Sequence, residues 1–146
     1  MKKKQFPGHL QAHEMLDIPL VNIINFQPVF HSAINYDKTP APDLITVVIQ
    51  DDKNNSVLLV ATMDGKAWQL TLSKKLIHLY SRSAKKVRCK GAERSGDYLE
   101  VVGIYRNCNS DSVLIKVKKL GKDDGVCHLI DENGKHFPAC FSFKVL

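Results

Sequence analysis

Leu44-Ile45-Thr46-Val47-Val48-Ile49-Gln50 and Ser56-Val57-Leu58-Leu59-Val60-Ala61 flank the polar segment Asp51-Asp52-Lys53-Asn54-Asn55. The flanks are rich in β-branched and aliphatic residues, which suit a pleated strand, and the middle holds turn formers. The stretch therefore predicts a β-hairpin. Just downstream, Asp64 is placed to cap a short helix reaching about Lys75. Further strands are predicted over 77–81, 98–105, 112–118 and 125–130. One helix among about six strands predicts a mainly β domain of the α+β class.

Upstream of the hairpin, Lys38-Thr39-Pro40-Ala41-Pro42-Asp43 is a proline-stiffened connection. Residues 1–36 lack period-two patterning and carry scattered prolines and histidines. They read as an N-terminal extension to a main domain at 37–146. Leu20, Ile23, Ile24, Phe26 and Phe30 give the extension enough apolar surface to pack on the domain or on an oligomer partner. At 146 residues, 44% apolar and 25% charged, the chain has the size and composition of one globular domain.

A net charge of +6 favours an anionic partner: nucleic acid, an acidic membrane surface or a phosphorylated metabolite. Met1-Lys2-Lys3-Lys4 resembles the charged start of a secretory signal, but no continuous apolar stretch follows it. The segment 16–30 is broken by Asp17, Pro19, Asn22, Asn25 and Pro28, so it predicts neither a signal core nor a membrane span. A cytoplasmic setting is the expectation. There, Cys89, Cys108, Cys127 and Cys140 are more often buried, metal-bound or catalytic than disulfide-paired.

Two groups of residues could carry chemistry. Cys108 sits in the polar turn Asn107-Cys108-Asn109-Ser110-Asp111, Cys127 precedes His128, and Cys140 lies in Pro138-Ala139-Cys140-Phe141. Three thiolates plus water would suit a catalytic zinc, which keeps one position open. The spacing matches no compact zinc finger, and buried unliganded thiols account for the same residues. Asp111 alone reads as a turn carboxylate. The second group is Ser81-Arg82-Ser83, followed by Lys85, Lys86, Arg88, Lys90, Gly91, Arg94, Ser95 and Gly96. Small and hydroxyl residues let backbone amides approach an anion while the basic side chains supply charge, as a phosphate site requires. A solvated basic loop has the same composition. Nucleic acid is disfavoured because few aromatics interleave as stacking platforms.

Taken in order, these pieces resemble the phosphoribosyl-AMP cyclohydrolase family. Its V-V-Q-D strand is matched by Val48-Ile49-Gln50-Asp51, and its V-L-M-x-A-Y-M segment by Val57-Leu58-Leu59-Val60-Ala61-Thr62-Met63. S-R-S-R appears as Ser81-Arg82-Ser83-Ala84, and K-G-E-x-S-G as Lys90-Gly91-Ala92-Glu93-Arg94-Ser95-Gly96 with one residue inserted. D-C-D-x-D corresponds to Asn107-Cys108-Asn109-Ser110-Asp111. C-H and S-C-F correspond to Cys127-His128 and Ala139-Cys140-Phe141. The likeness runs over residues 37–143.

The resemblance implies a mixed, twisted sheet with one short helix in an intertwined homodimer. It implies a zinc ion held by Cys108, Cys127 and Cys140 drawn from both subunits. The reaction implied belongs to histidine biosynthesis: hydrolysis of the adenine ring of phosphoribosyl-AMP between ring nitrogen 1 and carbon 6. Ribosylation of that nitrogen makes the ring cationic and carbon 6 electrophilic, and zinc-bound hydroxide is the implied nucleophile. His128 is the implied proton-transfer residue. Ser81, Arg82, Ser83, Lys90, Gly91, Ser95 and Gly96 would face the phosphates or ribose of the purine nucleotide.

The chain also departs from the family pattern. Two of the family's three magnesium aspartates are Asn107 and Asn109, leaving Asp111 alone. An amide carbonyl lacks the charge that magnesium prefers, so poor magnesium binding is expected. Ala84 ends the S-R-S-R motif, Arg88 stands where the family has tryptophan, and Leu99 where it has glutamine. The loops at 121–125 and 131–136 are longer than usual. Two alternatives follow: a zinc hydrolase of the same fold acting on another nucleotide or purine-like ring, and a zinc-stabilised binding protein without catalysis.

Overall fold

The hairpin forms as expected. In the computed structural model, which describes residues 26–92, 96–121 and 125–146, Ile45–Asp51 (β1) pairs antiparallel with Val57–Met63 (β2). Alternate residues of β1 point inward: Ile45, Val47, Ile49 and Asp51 are buried. A buried carboxylate needs partners. Asp51 accepts from the Lys53 backbone N–H at 2.9 Å and faces Lys119 Nζ at 3.7 Å.

The expected helix follows as Gly65–Lys74 (α1). The Asp64 carboxylate accepts from the Ala67 N–H at 2.7 Å, satisfying one of the donors a helix start leaves open. At the other end Lys75 turns left-handed at φ 58° and donates its N–H to the Thr71 carbonyl. The inward face carries Ala67, Trp68 and Thr71. Thr71 Oγ1 accepts from the His78 N–H at 2.9 Å, which ties α1 to the strand His78–Ser81 (β3).

Lys86–Cys89 (β4) pairs antiparallel with β3 as a separate two-stranded sheet. The sequence does not predict this strand, since 81–96 reads there as a basic loop. Its alternation is present in Lys86, Val87, Arg88 and Cys89, with the valine and cysteine half-buried, but the charges mask it. Leu99–Arg106 (β5) and Ser112–Lys119 (β6) complete the main sheet. Its strand order is β2-β1-β6-β5, with β6 parallel to β1 and antiparallel to β5, so the sheet is mixed. Ile45, Val47, Ile49, Leu58, Trp68, Val113, Ile115 and Val117 form its core against α1. The protein is mainly β with one short helix among the described residues.

The strand expected over 125–130 does not form. This segment folds back on itself around the turn at 131–135, keeping only the isolated bridge between Ile130 and His136. Cys127 N–H to the Phe137 carbonyl (3.1 Å) and Phe137 N–H to the Leu129 carbonyl (3.1 Å) hold the two arms together. Gly125 permits the fold-back: a Cβ there would fall 2.3 Å from His136 Cβ. The backbone hydrogen bonds of the segment are spent locally instead of in the sheet.

Of the apolar residues expected to dock the extension, Phe26 and Phe30 pack against the core, and Phe26 meets Trp68 edge-on at 6.1 Å. Leu20, Ile23 and Ile24 lie outside the described residues. Val29 N–H reaches the Ser110 carbonyl at 2.8 Å and His31 bridges Leu44, which straps 26–31 across the turn at 107–111. Among the described residues, no helix is long and apolar enough to cross a membrane.

Candidate active site

β2 lies at one edge of the main sheet, and the β3–β4 hairpin stands beside that edge. The Thr62 hydroxyl donates to the Tyr80 carbonyl at 3.1 Å and links the two. Between them opens a cleft of about 980 Å³. Val60, Ala61 and Thr62 of β2 line one wall. Ser81, Arg82 and Ser83, at the tip of the β3–β4 hairpin, and Lys90 and Gly91, just beyond β4, line another. His128 and His136 enter from the folded-back C-terminal segment. Residues far apart in the sequence, read separately as a phosphate group and a proton-transfer group, thus share one cavity.

The hairpin tip is built to hold its hydroxyls. Ser81 Oγ accepts from the Ala84 N–H at 3.1 Å and lies 3.2 Å from Ser83 Oγ, while Lys85 closes the turn at φ 55°. Gly91 is required where it stands. Its φ is +92°, and a Cβ there would fall 2.1 Å from the Asp97 carbonyl oxygen. Gly96 is also left-handed, at φ +85°, but does not line the cleft, and Ser95 lies outside the described residues. Leu99 is a core residue of β5, 2% exposed, and lies away from the cleft.

The cysteines occupy different settings. Cys127 is buried beneath the loop that carries His128, and its Sγ accepts from the Leu129 N–H at 3.5 Å. Cys140 is exposed on the C-terminal segment, whose backbone joins the edge of the sheet through Cys140 N–H to the Leu58 carbonyl at 2.7 Å. Cys108 is exposed in the turn between β5 and β6. None is in a disulfide. Cys89, half-buried, lines the cleft, where burial pushes its thiol above the ordinary value against the opposing pull of Lys74.

The comparisons with known proteins bear on the whole arrangement. The family model for phosphoribosyl-AMP cyclohydrolase matches residues 59–142. The chain belongs to the phosphoribosyl-AMP cyclohydrolase family. A phosphoribosyl-AMP cyclohydrolase of Chlorobium phaeobacteroides is 34% identical over 121 residues, covering 83% of this chain and 79% of that protein. Those of Syntrophotalea carbinolica and Geobacter sulfurreducens are 44% and 45% identical over 85 residues. In both, the match covers 58% of this chain and 66% of the relative.

The motif resemblance implied zinc and magnesium, and the donor chemistry here can be compared with each. Three sulfur donors suit zinc, and the Cys127 Sγ accepts a single backbone N–H. Within one chain, however, no three His, Cys, Asp or Glu side chains among the described residues converge as a metal site. Cys108, Cys127 and Cys140 fit a zinc ion only if a second copy brings them together.

The turn at 107–111 suits magnesium poorly. Asn107 Oδ1 accepts from the N–H groups of Asp111 (3.0 Å) and Ser112 (3.1 Å), and its Nδ2 donates to Asp111 Oδ1 at 2.6 Å. His31 Nε2 lies 3.5 Å from Asp111 Oδ2. Asn109 is exposed and adds a neutral amide. The one carboxylate is engaged by an amide donor, so the donor set does not fit the cation and no step is assigned to it.

The Asn107 amide, with a smaller contribution from His31, holds the Asp111 carboxyl below the usual carboxylate range. Its folded-state value being depressed, its contribution to stability is present above the ordinary value and lost as pH falls through the folded value. Asn107→Ala is expected to move the Asp111 titration midpoint upward, followed by NMR of the carboxyl carbon. An unmoved midpoint would mean the amide is not the cause.

Tyr36, His136 and Cys89 are among the cleft residues missed from the sequence. Tyr36 belongs to the segment assigned to the extension, His136 to the longer loop at 131–136, and Cys89 to a strand not recognised. None sits in a motif, and only the folding of the chain brings them to the cleft.

Proposed function

We propose that the protein is a phosphoribosyl-AMP cyclohydrolase, opening the purine ring between nitrogen 1 and carbon 6. The observation that carries this reading is the single cleft in which Ser81, Arg82, Ser83, Lys90 and Gly91 meet His128. The basic and hydroxyl wall would take the substrate phosphates, with Gly91 allowing close approach of its backbone. Water adds its oxygen to carbon 6, and the bond from carbon 6 to nitrogen 1 breaks. Carbon 6 becomes a carboxamide carbonyl, and the electron pair of the broken bond goes to nitrogen 1. His128 would take the proton lost by the water and return one to the leaving nitrogen. Zinc held by Cys108, Cys127 and Cys140 of two copies would supply the Lewis acidity that makes water nucleophilic near neutral pH.

The test is turnover of phosphoribosyl-AMP by the zinc-loaded protein with magnesium supplied, followed by the absorbance change on ring opening. Hydrolysis is the expected result. No ring opening under those conditions would remove this reading.

A second reading is a hydrolase of the same fold acting on another purine nucleotide. Arg88 and His136 both line the cleft, the first at a position where the family pattern has tryptophan and the second from the longer loop. A thermal-shift screen with phosphorylated purines separates the two. Stabilisation by another nucleotide with no turnover of phosphoribosyl-AMP would favour the second.

A further inference from the structure

The family-model match begins at residue 59, yet part of the cleft comes from the chain well before it. The loop at 33–41 folds on its own polar contacts. Asn35 is 3% exposed, donates Nδ2 to Thr39 Oγ1 and to the Pro40 carbonyl at 3.1 Å each, and accepts the Tyr80 hydroxyl at 3.0 Å. Those bonds anchor the loop to β3 without help from its neighbour Tyr36, which is 70% exposed and lines the cleft. Asp37 pairs with Lys85 at the hairpin tip, and that pairing holds its carboxyl down to about 2, so the tether stays charged at neutral pH.

Tyr36 meets one residue of the proposed phosphate wall. The guanidinium of Arg82 lies over the Tyr36 ring with its central carbon 4.6 Å from the centroid. Arg82 Nε donates to the Ile34 carbonyl at 2.8 Å. Stacking restrains the guanidinium plane, and the Nε bond fixes its rotation in that plane. The terminal nitrogens Nη1 and Nη2 make no hydrogen bond to the described residues. A guanidinium held by its face and by Nε has its remaining edge available, and that edge is the two-donor fork suited to a phosphate.

We propose that Tyr36, with the Ile34 carbonyl, positions Arg82 as a phosphate fork, making the loop at 33–41 part of the binding site for a phosphorylated substrate. The proposal rests on the reading of the cleft as a phosphate site and adds a positioning residue that lies outside the residues matched by the family model. Arg82 touches the anion; Tyr36 acts through Arg82. Without the ring, Arg82 regains rotamers in which the fork points elsewhere, and each binding event must restrict them again.

The experiment uses calorimetric titration of the full chain with ribose 5-phosphate, and with ribose as the uncharged control. The wild type is expected to bind ribose 5-phosphate and not ribose. Tyr36→Leu is expected to weaken ribose 5-phosphate binding about fivefold, the size of a partly exposed cation–π contact. Tyr36→Phe keeps the ring face and is expected to restore the affinity. In an Arg82→Ala background, Tyr36→Leu is expected to cause no further loss, because the residue it positions is gone. In turnover, Tyr36→Leu should raise KM by the same factor and leave kcat unchanged.

Unaltered binding by Tyr36→Leu, an equal further loss in the Arg82→Ala background, or failure of the wild type to bind ribose 5-phosphate would each overturn the proposal. Absence of phosphoribosyl-AMP hydrolysis with this binding pattern intact would remove the cyclohydrolase reading and leave the phosphate fork standing.

Discussion

Cys127→Ser is expected to abolish zinc retention and to lower kcat for ring opening on the order of a thousandfold or more. The size follows from the difference between metal-activated and bulk water at neutral pH. Cys127 is the best placed of the proposed ligands for this test. It is 3% exposed, it receives the Leu129 N–H on its sulfur, and its backbone N–H binds the Phe137 carbonyl. Serine keeps the volume and accepts the same N–H, but its hydroxyl does not ionise near neutrality and makes a poor zinc ligand. Metal content by mass spectrometry and turnover should therefore fall together, while the circular dichroism spectrum of the chain stays native. Cys89→Ser is the control for metal content, since burial keeps the Cys89 thiol protonated. Zinc retained at wild-type stoichiometry by Cys127→Ser, with hydrolysis intact, would end the metal-centre reading.

Trp68→Ala should cost about 3–5 kcal/mol, the largest loss of stability expected for a single change in this chain. Trp68 is 1% exposed at the centre of the inward face of α1, and Phe26 packs edge-on against it. Truncation therefore opens a cavity between α1 and the sheet and removes the seat of the segment that precedes β1. Trp68→Phe should cost far less. The indole Nε1 is buried without a hydrogen-bond partner among the described residues, so no bond to them is lost with it, and phenylalanine fills much of the same space. Urea titration checks both: a lower midpoint with unchanged slope for Trp68→Ala, and a small shift for Trp68→Phe. A Trp68→Ala loss below about 1 kcal/mol would mean that α1 is not held through this side chain.

The local elements were legible where one signal dominated. The hairpin of β1 and β2 shows in its aliphatic flanks and polar turn, and α1 shows in the cap residue Asp64. β4 was hidden because a strand with one face in solvent can carry lysine and arginine at alternate positions, which in sequence looks like a charged loop. The opposite error came at 125–130, where apolar residues suggested a strand. There the close approach of Gly125 to His136 turns the segment back on itself. In the candidate site, the family motifs made Ser81, Arg82, Lys90, Gly91 and His128 visible. Tyr36 and His136 were not, because an isolated aromatic or histidine in a loop carries no periodicity.

The order of residue types along the chain determined most of the elements, the family and the candidate donors, since hydrophobic alternation, caps and motifs depend on near neighbours in sequence. The pairing of β6 with β1 and the meeting of Arg82 with Tyr36 and His128 in one cleft were decided by the tertiary structure. So was the engagement of Asp111 by Asn107 and His31. Those contacts join segments tens of residues apart, or depend on how a turn directs its side chains. Burial and hydrogen-bond geometry set them only once the chain has closed on itself.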